Sequence, residues 1–226
     1  MKRVILPLVF GLAGVAVLVS LGVWQMQRLA WKEGVLAEIE ARIAAEPVAL
    51  PEAIDRAAAK YLPVALEGRF GDGVLRVLVS RKQVGAGYRI ISPFETVESR
   101  RVLVDRGFIR VAGQLLPPPT GRVRILGNLH WPDDRLSSTP ENDIEGNTWF
   151  ARDIVPMAEV LGTEPLLVVV REVSENDPAM TPLPVDTSAI PNDHLEYAIT
   201  WFSLAAIWAA MTGFFLWRGR NPAKGD

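Results

Sequence analysis

The chain has 226 residues, a net charge of −2, two histidines and no cysteine. That length accommodates one ordinary domain with appendages. The lack of cysteine excludes disulfides, thiolate catalysis, Cys-ligated zinc and covalent c-type haem attachment. Mean hydropathy is +0.18, and the apolar excess is concentrated in two uncharged runs, Val4–Gln27 and Tyr197–Trp217. Between them the chain carries 19 basic and 25 acidic side chains, a net charge of −6 that gives no footprint for nucleic acid.

In chain order, the first element is the uncharged run over 4–27. At about 1.5 Å per helical residue it can cross a hydrocarbon layer of about 30 Å. Its start, MKRVILPLVF, also has the form of a secretory signal, with Gly14-Val15-Ala16 as a small-residue cleavage site. The apolar residues continue past that site into GVWQMQRLAWKE, where Trp24 and Trp31 stand beside Arg28 and Lys32. Tryptophan next to cations is the composition of a membrane–water boundary, so a retained span is the expectation. The spacing of Leu29, Leu36, Ile39 and Ile43 continues the helix to about Ala45. PEAIDRAAAK, 51–60, predicts a short helix with Pro51 in its first turn.

The period then changes. Strands are predicted over 64–68, 74–80, 88–94, 101–111, 122–130 and 166–173, each bounded by glycine, proline or charge. ARDIVPMAEVL predicts one short helix between Trp149 and Leu161. In VLVDRGFIR, 102–110, a mid-strand glycine signals a bulge or a close backbone approach, and Arg106 is a candidate partner for an anion, with an acid of its own domain favoured. The acids of STPENDIEGNTWFARD, 138–153, do not follow the spacing of a calcium loop. His130 reads as structural. No phosphate loop or nucleophile elbow is present, so no enzymatic activity is expected. The proline-rich 178–191 reads as a linker returning to the second span.

PNDHLEYAITWF, 191–202, opens that second span. His194, Tyr197, Trp201 and Trp208 are spaced at i, i+3, i+7 and i+14. An imidazole above flat rings suits an axial ligand of an amphiphilic porphyrin. The same residues suit a helix cap followed by an interfacial aromatic belt. Ala205, Ala209 and Gly213 form a small-residue stripe, with Ala16 and Ser20 as the facing surface on the first span. Such faces also allow a homo-oligomer.

The fold class expected is therefore two transmembrane helices flanking an extracytoplasmic α+β domain with a mainly antiparallel sheet or small β-barrel. The expected segments are 1–3 cytoplasmic, 4–27 spanning, 28–196 outside (helical 28–60, β-rich 61–175), 197–217 spanning and 218–226 cytoplasmic. Lys2, Arg3, Arg218, Arg220 and Lys224 place both ends in the cytoplasm by the positive-inside rule. The middle is then periplasmic at a bacterial inner membrane, or in the intermembrane space of a mitochondrion.

The order of these stretches resembles the SURF1 (Surfeit locus 1) family of cytochrome oxidase assembly proteins. The resemblance rests on LGVWQMQRLAWK, VLVDRGFIRV, TPEND, NTWFARD and PNDHLEYAITWF. Leu21, Gly22, Trp24, Gln25 and Arg28 match one family pattern; His194, Tyr197, Thr200, Trp201 and Phe202 match another. Asp193 and Glu196 stand where the family has Asn and Gln, and Phe108 where it has Trp. The resemblance implies help in building a haem–copper oxidase, around haem a delivery to subunit I. It implies haem a bound transiently through His194; the expected site has His194 as iron ligand, Tyr197 and Trp201 along the macrocycle and Arg28 at a propionate. Partners implied are oxidase subunit I, other assembly factors and membrane lipid. The rival readings are a protein-binding scaffold that never meets haem and a membrane-anchored envelope hydrolase.

Overall fold

The structure, a computed structural model, describes residues 2–81, 85–175, 180–188 and 190–220. The basic tail residue Lys224 and positions 178, 179 and 189 of the expected linker lie outside the described residues. The chain forms two compact units, one running to Glu38 and resuming at Thr187, the other Ile39–Asp186.

The Ile39–Asp186 unit is a seven-stranded mixed sheet. Its strands are β1 (Val48–Ala49), β2 (Pro63–Phe70), β3 (Leu75–Arg81), β4 (Gly85–Thr96), β5 (Arg101–Arg110), β6 (Val123–His130) and β7 (Leu167–Val173), in the order β1-β2-β6-β7-β5-β4-β3. β1–β2 and β5–β7 are parallel and the other neighbours antiparallel. β2 also pairs with β4 through Gly68–Phe70 and Phe94–Thr96, so β2, β6, β7, β5 and β4 return on themselves over a short seam.

Alternation along the central strands sorts side chains into two cores. Val102, Val104, Val168 and Val170 enter one, with Phe94, Ile125 and Leu129. Leu103, Leu167 and Val169 enter the other, with Trp149 and Met157. The second core is covered by a helix, α3 (Ile154–Leu161). Its Ile154, Met157, Ala158 and Leu161 recur at helical spacing and are buried, and Gly162 ends it in the left-handed conformation. The earlier helix, α2, is shorter than the sequence predicts: Arg56–Ala59, leaving Pro51 outside it. The Asp55 carboxylate accepts from the Ala57 and Ala58 N–H groups and sets the start there.

The glycine expected to mark an irregularity does so in both ways. The β4–β5 register slips between Ile90 and Ile91, facing Gly107 and Asp105, and leaves Arg106 as the extra residue of a bulge. Gly107 has φ +122°, and a Cβ there would lie 2.4 Å from the Thr181 carbonyl oxygen. That approach lets residues 181–185 run across the sheet as a strap. Phe108 and Thr181 exchange backbone hydrogen bonds of 2.8 and 3.0 Å, and Val185 packs on the second core. This part of the expected linker is thus bound to the sheet.

The other unit holds two long helices, except for the last turn of the first, which belongs to the sheet unit. α1 runs Lys2–Ile43 and α4 runs His194–Arg220. Both are long and apolar enough to cross a membrane, with windows of mean hydropathy 2.4 and 1.6 that are only 11% and 6% buried. Neither is therefore a core helix of a soluble fold. They pack on each other through glycines of α1. The Trp208 indole donates to the Gly11 carbonyl at 3.1 Å and lies 5.6 Å from the Phe10 ring. A Cβ at Gly11, Gly14 or Gly22 would strike Thr212, Trp208 or Phe202. Of the expected stripe, only Ala205 is buried; Ala209 is exposed and Gly213 has open space around it. Ser20 donates back to Ala16 O in its own helix. Large aromatic side chains seated on glycine, rather than two small-residue faces, make this contact.

Candidate functional site

Asp193 sets where α4 begins. Its carbonyl accepts from the Tyr197 N–H, so Asp193 stands at the cap position and His194 opens the first turn. His194 is therefore not the cap. Its ring turns toward α1, where Nδ1 lies 2.8 Å from Oε1 of Gln25. Gln25 is 8% exposed, a buried amide on the face of α1 that otherwise presents Gly11 and Gly22. Ala198 and Ala205, at i+4 and i+11 from His194, are buried on the same side of α4.

The expected site residues divide accordingly. Trp201 is half-buried and near the His194 face. Tyr197 is 56% exposed. The Arg28 guanidinium lies 4.3 Å from the centroid of Trp31, a cation–π contact along its own helix. His194 is the one nitrogen donor in this set suited to a metal. Among the described residues no group of three or more His, Cys, Asp or Glu side chains converges. A bare ion needs several protein ligands, whereas porphyrin iron receives four nitrogens from its macrocycle and needs only an axial one. This donor set fits the latter. Gln25, matched in sequence but given no role there, is the partner that spacing could not supply, because it lies 169 positions before His194.

The sheet unit holds a second polar cluster. Asp105 is fully buried inside β5, and its Oδ2 lies 2.6 Å from Arg89 Nε and 3.7 Å from Arg152 Nη1. Its Oδ1 accepts from the Gly107 N–H. Arg89 also donates to the Leu183 carbonyl of the strap at 2.8 Å, and Arg152 pairs with Asp134 at 2.6 Å. Burial pushes the Asp134 carboxyl up, but the Arg152 hydrogen bond and charge outweigh it and hold it below the ordinary range. Each acid is thus neutralised by a guanidinium. The cluster clamps the strap and the 131–153 loop to the sheet.

His130 stacks on Tyr61 at 5.7 Å. Burial first, and then the charges of Arg152 and Lys60, push its pKa down to about 4. Arg106 lies over the Phe70 ring at 5.3 Å in a small cleft with Val170, Val173 and Pro182. In the 138–153 loop Asp143 accepts from Gly146 N–H, Asn142 bridges Asp153 and Phe150, and Asn147 binds Val74 and Arg76.

A family model described as the SURF1 family matches residues 12–206. The chain is 30% identical over 215 residues to Surfeit locus protein 1 of Homo sapiens, covering 83% of this chain and 70% of that protein. It is 33% identical over 225 residues to a SURF1-like protein of Monosiga brevicollis, with 89% and 84% covered. A SURF1-like protein of Rickettsia felis is 31% identical over 200 residues, with 84% and 87% covered.

Proposed function

This chain belongs to the SURF1 family, and from that premise we propose that it is a membrane-anchored assembly factor for a haem–copper cytochrome oxidase. The observation that carries the reading is the extent of the match, 12–206, which takes in the sheet unit, most of α1 and the first half of α4 with His194. The role needs no bond rearrangement in the protein, in keeping with a family of assembly factors.

The two helices are the spans. Only 11% and 6% of their apolar windows are buried in the folded chain, and a hydrocarbon layer supplies the missing contacts. The positive-inside rule, applied to the basic residues outside the runs, supports both tails in the cytoplasm and the sheet unit on the outer side of the inner membrane. His194, at the start of α4, is the axial ligand for haem a held briefly on its way to subunit I. When bound, the haem supplies the iron and an apolar face that belongs at the bilayer boundary. Trp201 lies along the macrocycle. Tyr197 and Arg28, both exposed, are free to meet its edge and a propionate once the cofactor arrives. One axial bond in an open setting lets the cargo leave, which a delivery protein requires.

The scaffold reading draws on a separate observation. Leu136 and Ile144 are 69% and 54% exposed on the 131–153 loop, apolar side chains suited to a protein partner.

The test is to delete the gene in its host and restore it as wild type or His194→Ala. Wild type restores oxidase haem a and activity in the membranes, and His194→Ala restores little. Full restoration by His194→Ala defeats the haem assignment. If it also keeps its complex with subunit I in haem-free cells, the scaffold reading takes its place.

A further inference from the structure

We propose that Gln25 is a positioning residue for His194. Its side-chain carbonyl accepts the Nδ1 proton, fixes the imidazole as the Nδ1–H tautomer, and leaves the Nε2 lone pair as the ring's metal-binding atom. The inference deepens the haem reading and rests on it for the identity of the metal.

Gln25 is buried in a segment without charge between Val4 and Gln27. A buried amide in apolar surroundings is costly unless it is hydrogen-bonded. His194 meets that need at 2.8 Å from across the helix pair. The bond occupies Nδ1, and among the described residues no donor or acceptor meets Nε2. A neutral imidazole carries one N–H and one lone pair, and the partner at one nitrogen decides which nitrogen is free to ligate. Where a histidine holds a metal, its other ring nitrogen is commonly committed to such an acceptor.

The choice of an amide over a carboxylate also has a consequence. Carboxylate acceptors make the imidazole a more basic ligand and the metal bond stronger. A neutral amide oxygen orients the ring with less electronic push, which suits a ligand that must let go. Gln25→Glu is then expected to hold porphyrin more tightly than wild type.

The test uses full-length protein in detergent with 15N-labelled histidine, at a pH where imidazole is neutral. With only two histidines in the chain, two ring systems appear, and His130→Gln assigns them. His194 is expected as Nδ1–H in wild type and in Gln25→Glu, and largely as Nε2–H in Gln25→Met. An unchanged His130 signal shows that the sheet unit is folded, and an unchanged disulfide crosslink between cysteines placed on α1 and α4 shows that the helix pair is intact. Nε2–H in the wild type, or a tautomer indifferent to Gln25→Met, overturns the proposal. Titrating the same samples with hemin is expected to show binding weakened about 10- to 100-fold in Gln25→Met, the usual cost of losing such an outer partner. If the tautomers behave as stated but no sample binds hemin or haem a, the porphyrin reading fails and the positioning role stands.

Discussion

Replacing Gly107 with alanine tests whether the strap is held by that close approach. At φ +122° an L-residue is strained by about 1–2 kcal/mol. The added Cβ would also sit 2.4 Å from the Thr181 oxygen and 2.9 Å from Pro182 Cα, both backbone atoms that must move. Moving them breaks the Phe108–Thr181 pair of hydrogen bonds, at about 1 kcal/mol each. Lower entropy of the unfolded alanine chain returns about 0.5–1 kcal/mol. The net loss is about 3 kcal/mol, or about a hundredfold in the folding equilibrium, and roughly 10 °C in the melting temperature for a unit of this size. Gly85→Ala is the control, because its φ is +92° but nothing among the described residues lies within 4 Å, so it carries the backbone penalty without the Thr181 clash. Thermal melts of the full chain, with limited proteolysis at 180–186, separate the two. If Gly107→Ala melts with Gly85→Ala and its strap is cut no faster, the strap is not fixed by this contact.

Three further outcomes follow from particular contacts. His130 titrates at about 4 in the fold against 6.5 in the unfolded chain, so below pH 6.5 the unfolded chain binds a proton that the fold refuses. Stability is therefore unaffected by this group above pH 6.5 and falls by at most about 3 kcal/mol as pH drops to 4; His130→Leu should flatten melting curves between pH 6.5 and 4.5, and an unchanged slope rejects the assignment. Asp105→Asn takes from Arg89 its Asp105 carboxylate under the strap and is expected to destabilise the sheet unit by about 3–5 kcal/mol in chemical denaturation; a loss below 1 kcal/mol would show that the clamp is not needed. Gly14→Ala should displace Trp208 and lower disulfide crosslinking between cysteines placed on α1 and α4, whereas Gly213→Leu, in open space, should not. The reverse ranking would return the contact to the small-residue stripe. The cysteine-free chain makes the assay clean.

Much of the fold was legible because local pattern dictates it. Each of the six strand segments read from alternation and turn residues is a strand, and Gly107 announced its bulge by interrupting an apolar run. What stayed hidden depends on distant partners. β7 inserts between β5 and β6, making the sheet mixed, a choice no local period encodes. The 181–185 strap looked like a linker because prolines mark extended chain whether free or bound. The small-residue stripe does not encode the helix contact, because small residues lie on several faces of α4 and the pairing of Trp208 and Phe202 with glycines needs both helices in view. In VLVDRGFIR the buried acid is Asp105, whose signal is a lone carboxylate inside an apolar strand beside the more conspicuous Arg106. His194 stood out by its position before an uncharged run. Gln25 did not, although it lay within a matched pattern.

The most direct measurement is the absorption spectrum and haem content of the protein purified, with its native lipids, from cells that make haem a. Wild type should carry substoichiometric haem a with the spectrum of a histidine-ligated iron, and His194→Ala should lose it. Wild type free of haem a, or His194→Ala with the same content and spectrum, would contradict the account.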